Sequence, residues 1–428
     1  MSILLLSVGM AALAQDGAQD SGWDESWDDD WEEEQSGWLP LTGFLEVAGG
    51  TRWDRDDQVG RRGTLLDLRW RLESGWENDA ISVTLKGDLL ADGIDDELTV
   101  DVRDASLAFS PVASLDVKAG RQVLTWGTGD LLFLNDLFPK DWVSFFAGRD
   151  DEYLKAPSNS LRLTQYNAVA NIDFVWTPEF TPDNYIDGDR FSYFSPFDGM
   201  KIGAEPPVLV DEPSNKLSNS EYALRLFKTH GGVEYALYGY SGFFKTPSRV
   251  TGPRRLSFAP MTSIGVSLRR SLGPGLFNLE GSYYISRDDG SGTDPLVANS
   301  QVRLLAGYEW EARRNFNVGL QYYVEHIVDY DNLIANSPAP QFEPPENRHQ
   351  ITTRLTYRAM QDKLTWSFFA FVSPNEQDYY LRPIVAFRAD DNWTYTVGLN
   401  LFGGDEAHTF LGQFEDNSNA YLRVRYNY

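Results

Sequence analysis

Between Thr64 and Glu73 the chain alternates without a break. Leu66, Leu68, Trp70 and Leu72 fall on one side of an extended strand, and Asp67, Arg69, Arg71 and Glu73 on the other. A charge at every second position cannot face a protein core. An apolar group at every other position cannot face water. The two rows are satisfied together only where one meets hydrocarbon and the other an aqueous interior, which is the situation of a strand in a transmembrane β-barrel.

The pattern recurs along the chain. Ile81, Val83 and Leu85 oppose Lys86 and Asp88; Val302, Leu304, Ala306, Tyr308 and Trp310 oppose Arg303 and Glu309; Ile351, Leu355 and Tyr357 oppose Arg354 and Arg358. Trp393, Tyr395, Val397, Leu399 and Leu401 form another apolar row. Eighteen such segments are predicted, from 39–52 to 418–428, with sixteen as the alternative because the phase slips near 98–125 and requires bulges there. Connections after even-numbered segments are short, as at Asn78-Asp79, Gly273-Pro274 and Gln361-Asp362. Those after odd-numbered segments are mostly long, as at 126–157 and 180–218. Short turns alternating with long loops are the periplasmic and extracellular ends of an antiparallel up-and-down barrel. The fold expected is therefore all-β, an outer-membrane barrel spanning 39–428.

Composition agrees. Aromatics make up 14% of the 428 residues and there are 36 Gly, while the absence of cysteine excludes disulfide scaffolds, thiolate metal sites and thiol catalysis. A net charge of -26 argues against nucleic-acid binding. Ile3–Leu13 is a short apolar run ending in Ala12-Leu13-Ala14, read as a secretory signal peptide over 1–14. Residues 15–38 carry ten acids and no base, a segment expected to be disordered alone. Within it Trp23, Trp27 and Trp31 are spaced to form one stripe in a helix. That spacing suits a periplasmic tail docking on a partner of an envelope transport system; a solvating tail and a luminal plug are the other readings.

The C-terminus sets Leu422, Val424, Tyr426 and Tyr428 on one face. A terminal aromatic of this kind resembles the signal read by the barrel assembly machinery, which assigns that role to Tyr428.

Gly120-Arg121-Gln122-Val123-Leu124-Thr125-Trp126-Gly127, followed by Asn135-Asp136-Leu137-Phe138-Pro139-Lys140-Asp141, resembles a stretch found in outer-membrane barrels of the alginate-export type. The resemblance covers about fifty residues. It implies a channel with a basic lumen, in some relatives exporting a polymer or lipid through a trans-envelope machine. Arg69, Arg71, Arg103, Arg121, Arg225, Arg303, Arg354, Arg358, Arg423 and Arg425 are the expected lining of that path. For Arg121, a structural pairing with a neighbouring acid is the alternative.

Lipid and lipopolysaccharide contacts are expected on the outer face. No cofactor, metal or catalytic residue is expected. The four histidines, His230, His326, His349 and His408, form no helical zinc pair. His326 falls in phase with the lipid face near the outer rim, where an interfacial anchor is the plain reading, and no serine partner for catalysis is identifiable. Asp288–Asp294 reads as a loop-tip turn. The expected function is passage of an anionic or amphiphilic solute or polymer. A general diffusion porin and a closed interaction barrel are the alternatives.

Overall fold

The computed structural model describes residues 41–428. The apolar leader 1–14 and the acidic tail 15–38, with Trp23, Trp27 and Trp31, lie outside the described residues.

Eighteen antiparallel strands make one closed sheet. In chain order they are β1 (Thr42–Arg52), β2 (Gly63–Glu77), β3 (Ile81–Asp92), β4 (Glu97–Val112), β5 (Leu115–Val123), β6 (Pro157–Gln165), β7 (Asn171–Thr177), β8 (Glu221–His230) and β9 (Val233–Phe243). The second half contains β10 (Pro260–Leu272), β11 (Gly275–Ser286), β12 (Gln301–Arg313), β13 (Phe316–Ile327), β14 (Asn347–Ala359), β15 (Leu364–Ser373), β16 (Asp378–Arg388), β17 (Trp393–Gly404) and β18 (Asn419–Asn427). Each strand pairs with its neighbour in sequence, and β18 returns to β1 in a register running from Phe44↔Asn427 to Arg52↔Asn419. The sixteen-strand alternative is thereby excluded. Every predicted strand is present, with ends displaced by at most a few residues. The expected loss of phase is also there: the register shifts between Lys86 and Gly87 against β4, and between Phe109 and Val112 against β5.

Closure is reinforced at the C-terminus. The Tyr428 hydroxyl accepts from Trp70 Nε1 at 2.7 Å and donates to the Arg71 carbonyl at 3.1 Å, and its backbone N–H bonds the Gly43 carbonyl. These contacts tie the last residue to the first two strands.

The alternation places the side chains as expected. Leu66, Leu68, Trp70, Leu304, Val397 and Leu422 are exposed on the outer surface, whereas Asp67, Arg69, Arg71, Asp88, Glu280, Glu325 and Arg423 are buried on the inner one. An apolar exterior around a charged interior is stable with hydrocarbon outside. Among the described residues no helix is long and apolar enough to cross a membrane; the strands do so. Connections at one rim are tight, as at 231–232, 273–274 and 314–315. At the other rim 124–156, 178–220, 328–346 and 405–418 are long, with 93–96 and 374–377 as short exceptions.

The register makes a direct prediction. Leu68 is 55% exposed on the outer face and Arg69 2% exposed on the inner one. Leu68→Arg should lower the urea stability of the liposome-folded barrel by about 2–4 kcal/mol, the cost of a charge on the lipid face near the midplane. Arg69→Leu should fold, because Asp88 keeps Arg71 and Asp67 keeps Arg149. An exchange of the two outcomes would mean a register one residue out.

Candidate functional site: a lumen crossed by a folded-in loop

The loop 124–156 enters the barrel instead of leaving it. Its root is Gly120, at φ +131°, where a Cβ would stand 2.2 Å from the Ala105 carbonyl oxygen, so a side chain is excluded. Trp126 then packs edge-on against Phe138 with centroids 5.1 Å apart, and its Nε1 donates to Asp173 at 3.3 Å. Glu280 on β11 is the main anchor. Its buried carboxylate accepts from Thr128 N (2.7 Å), Thr128 Oγ1 (3.0 Å), Asn135 N (2.9 Å) and Asn135 Nδ2 (2.9 Å). Gly127, at φ +90°, allows this approach, since a Cβ there would lie 2.9 Å from Glu280 Oε1. Asp130 reaches Arg354 on β14, and the Asp130 backbone exchanges hydrogen bonds of 2.8 Å with the Gln321 amide. The stretch that resembles the alginate-export barrels is thus the root and anchor of the inward loop.

Beyond Asp136 and Lys140, a buried pair at 2.9 Å, the loop forms the short helix α1 (Trp142–Ala147), capped where Asp141 accepts from Ser144 N at 2.7 Å. Phe146 projects into an aromatic cluster on the far wall, 5.6 Å from Tyr380, 4.9 Å from Phe402 and 5.1 Å from Phe414. Arg149 bonds Asp67 (2.7 Å) and Asp92 (2.6 Å). Next come three consecutive acids. Asp150 meets Arg423 at 2.7 Å and Arg425 at 3.1 Å; Asp151 meets Arg382; Glu152 meets Arg71 at 3.1 Å and Lys86 at 3.3 Å. Arg103 donates to the carbonyls of Glu152 and Lys155. Burial works against these charges, yet Arg423 and Arg425 outweigh it and hold the Asp150 carboxyl well below the usual range. Arg71 does the same for Glu152. The loop therefore touches β11, β13 and β14 on one side and β2–β4 and β16–β18 on the other.

A second long loop, 178–220, lies over the first. Asp183 accepts from Lys140 N (2.8 Å) and Trp142 Nε1 (3.0 Å), Phe191 packs on Phe146, and Arg190 reaches Asp92 and Asp95. Asn417 of the loop 405–418 exchanges hydrogen bonds with the Ser192 backbone at 3.2 and 2.8 Å. The loop 178–220 thus forms a lid on the loop 124–156.

Of the predicted lining residues, Arg69, Arg71, Arg103, Arg225, Arg303, Arg354, Arg358, Arg423 and Arg425 share the inward register. Arg121 does not, and the expectation is corrected. It pairs across the sheet with Ala105 and Asn159, lies on the same face as Val117, Ala119 and Val123, and donates to the Val102 carbonyl. Its inward neighbours are Gly120 and Gln122, the latter 1% exposed. Sequence reasoning missed Arg382, Arg149, Arg190, the acids at 150–152 and the role of Glu280. Arg382 alternates with Tyr379 and Leu381, a usable signal masked by the inward apolar residues Tyr380 and Ile384; the loop residues carry no periodic signal. His326 and His349 sit on outward positions of β13 and β14, bonded to Asn347 (3.0 Å) and Tyr322 (2.8 Å). Asp289 accepts from the backbone of Ser291 and Asp294, closing the 288–294 turn on itself.

Comparison with solved structures places the fold. OccK2 (OpdF) of Pseudomonas aeruginosa, solved in complex with glucuronate, aligns with a TM-score of 0.53 at 11% identity over 91% of this chain and 97% of that one. OccAB3 of Acinetobacter baumannii gives 0.51 at 11% over 91% and 98%, and OccK11 (OpdR) of Pseudomonas aeruginosa 0.50 at 9% over 90% and 95%. The fold is that of a porin-like outer-membrane β-barrel. No protein-family model matches the chain, and no curated protein matches it in sequence. The likeness is to porins and does not show the alginate-export type.

Two measurements follow. Glu280→Ala removes four hydrogen bonds to a charged acceptor, each worth roughly 1.5–3 kcal/mol, so the loop root should loosen. Single-channel conductance should rise while the heat-modifiable barrel still forms; unchanged conductance would remove this loop as the constriction. In the turn 374–377, burial pushes the Glu376 carboxyl up to about 7 from an ordinary 4.5, aided by Asp378 and opposed by Arg348. Its folded value is raised, so the protonated form is favoured in the folded protein. That contribution is complete below 4.5 and is lost as pH rises through about 7. Glu376 and Asp378 both bond the loop 405–418, through Phe410 and Leu411. A spin label at Ala407 should gain mobility across that pH window, and Glu376→Gln should flatten the response.

Proposed function

We propose that the chain is an outer-membrane channel for small anionic solutes, held at low conductance by its inward loop and lid. The observation that supports this reading is the inner wall itself. Arg71, Lys86, Arg103, Arg382, Arg423 and Arg425 converge on one sector, and Arg354, Arg358 and Arg388 share the inward register of β14 and β16. Guanidinium groups in a pore favour anions by their field and by two-pronged contact with carboxylates. The glucuronate complex of OccK2 makes that sugar acid a suitable first probe. A general diffusion porin is the alternative, and the porin-like fold is equally consistent with it.

The finer reading is that this barrel is the outer element of an export system, docked by its tail. Its support is positional: β1 begins at Thr42 beside Tyr428, at the short-turn rim, which is the side expected to face the periplasm. The alginate-export resemblance of the loop root fits the same reading.

The purified protein in a planar bilayer with a KCl gradient should show a reversal potential of the sign for anion preference, and Arg423→Gln with Arg425→Gln should reduce it. Cation preference would reject the anion reading. Deletion of 15–36 should leave purified conductance unchanged and abolish transport in cells if the tail docks. Raised conductance would make the tail a plug, and unchanged transport would make it dispensable.

A further inference from the structure

The acids at 150–152 form a local replica of a multivalent anion. They are three carboxylates on consecutive residues, brought by a loop to a wall of bases contributed by four separate strands: Arg71 (β2), Lys86 (β3), Arg382 (β16), and Arg423 and Arg425 (β18). Wall acids share some of these bases, with Asp88 bonded to Arg71, Glu46 near Arg425 at 2.9 Å and Glu73 near Lys86 at 3.1 Å. They do not saturate Arg382 and Arg423. Arg382 is 1% exposed and its Nη2 pairs with Asp151, yet its Nε has no hydrogen-bond acceptor among the described protein atoms, and Arg423 Nε has none either. A buried guanidinium with open donors is costly unless something else completes it.

From this we infer that the bases around 150–152 are a binding site for a small di- or tricarboxylate, occupied at rest by the chain's own Asp150-Asp151-Glu152. The ligand and the loop acids compete for the same guanidinium donors. A solute carrying several carboxylates on a compact frame satisfies Arg71, Arg382, Arg423 and Arg425 together. A monovalent anion satisfies one or two and leaves the loop in place. Binding therefore couples to displacement of the segment that obstructs the lumen. The loop's attachments at Glu280, on the opposite wall, and at Arg149, which bonds Asp67 and Asp92, stay made, so what is released is the acidic segment that follows. This inference rests on reading the lumen as an anion path and adds the solute class and the means of opening.

Citrate is the probe, with chloride as the monovalent control, on the full chain in detergent and in planar bilayers. In the wild-type protein, citrate should speed hydrogen exchange of residues 148–156 while chloride at equal ionic strength does not. No citrate-specific change would overturn the inference. In the variant D150N/D151N/E152Q the competitor is neutralised, so the citrate concentration that half-saturates binding should fall at least tenfold. An unchanged concentration would equally overturn it. If the triple variant does not fold, Asp150→Asn alone should give a smaller shift of the same sign, and no shift would count against the inference. The two readings fail separately. Cation selectivity with citrate-driven loop release rejects the transport reading and keeps the site. Anion selectivity with no citrate effect on the loop rejects the site and keeps the transport reading.

Discussion

A strand in hydrocarbon has no water to satisfy its backbone, so every N–H and C=O must find another strand. The pairing of β1 with β18 is what meets that requirement here, because it removes the two edges that an open sheet would expose to lipid. Much of the rest depends on it. Closure sets inward and outward positions for every strand at once. It brings Arg423 and Arg425 beside Glu46, residues from opposite ends of the chain. The bonds of Tyr428 to Trp70 and Arg71 extend the seam by one strand.

The interior then faces a different problem. An eighteen-strand barrel is wide enough to hold water, and charged residues on its inner wall are inexpensive while they stay hydrated. Here the loop 124–156 packs against that wall. Once it does, charges such as Arg69, Arg71 and Asp88 become buried and must be paired. The loop supplies much of the pairing itself: Arg149 answers Asp67 and Asp92, the acids 150–152 answer the wall bases, and the Asn135 and Thr128 donors answer Glu280. Aromatic packing around Phe146 and Tyr380 supplies the apolar part. The obstruction is built on the complementarity of loop and wall, charge for charge.

That complementarity joins fold to function. The groups that hold the loop are of the kind that recognise an anion, so any solute bound by the wall bears on the loop's position. Glu280 stands apart, on the opposite wall, where it holds backbone and amide donors of the loop instead of its charges. The attachment through the acids 150–152 is open to competition by an anionic solute, and the one at Glu280 is not.

The amino-acid sequence determined the number of strands, their phase and the inner or outer side of nearly every residue on them, because a two-residue repeat is a local property and one side is in lipid. Arg121 was misplaced because it was taken from a resemblance, whereas the alternation of Val117, Ala119 and Val123 assigns it outward. What only the tertiary structure decided is which loops turn inward and what they meet there. Asp150 and Arg423 lie 273 residues apart, and Glu280 and Asn135 lie 145 apart. No repeat links them, since a loop has no period and its partners are chosen only after the barrel has closed and set the wall against which its charges must be matched.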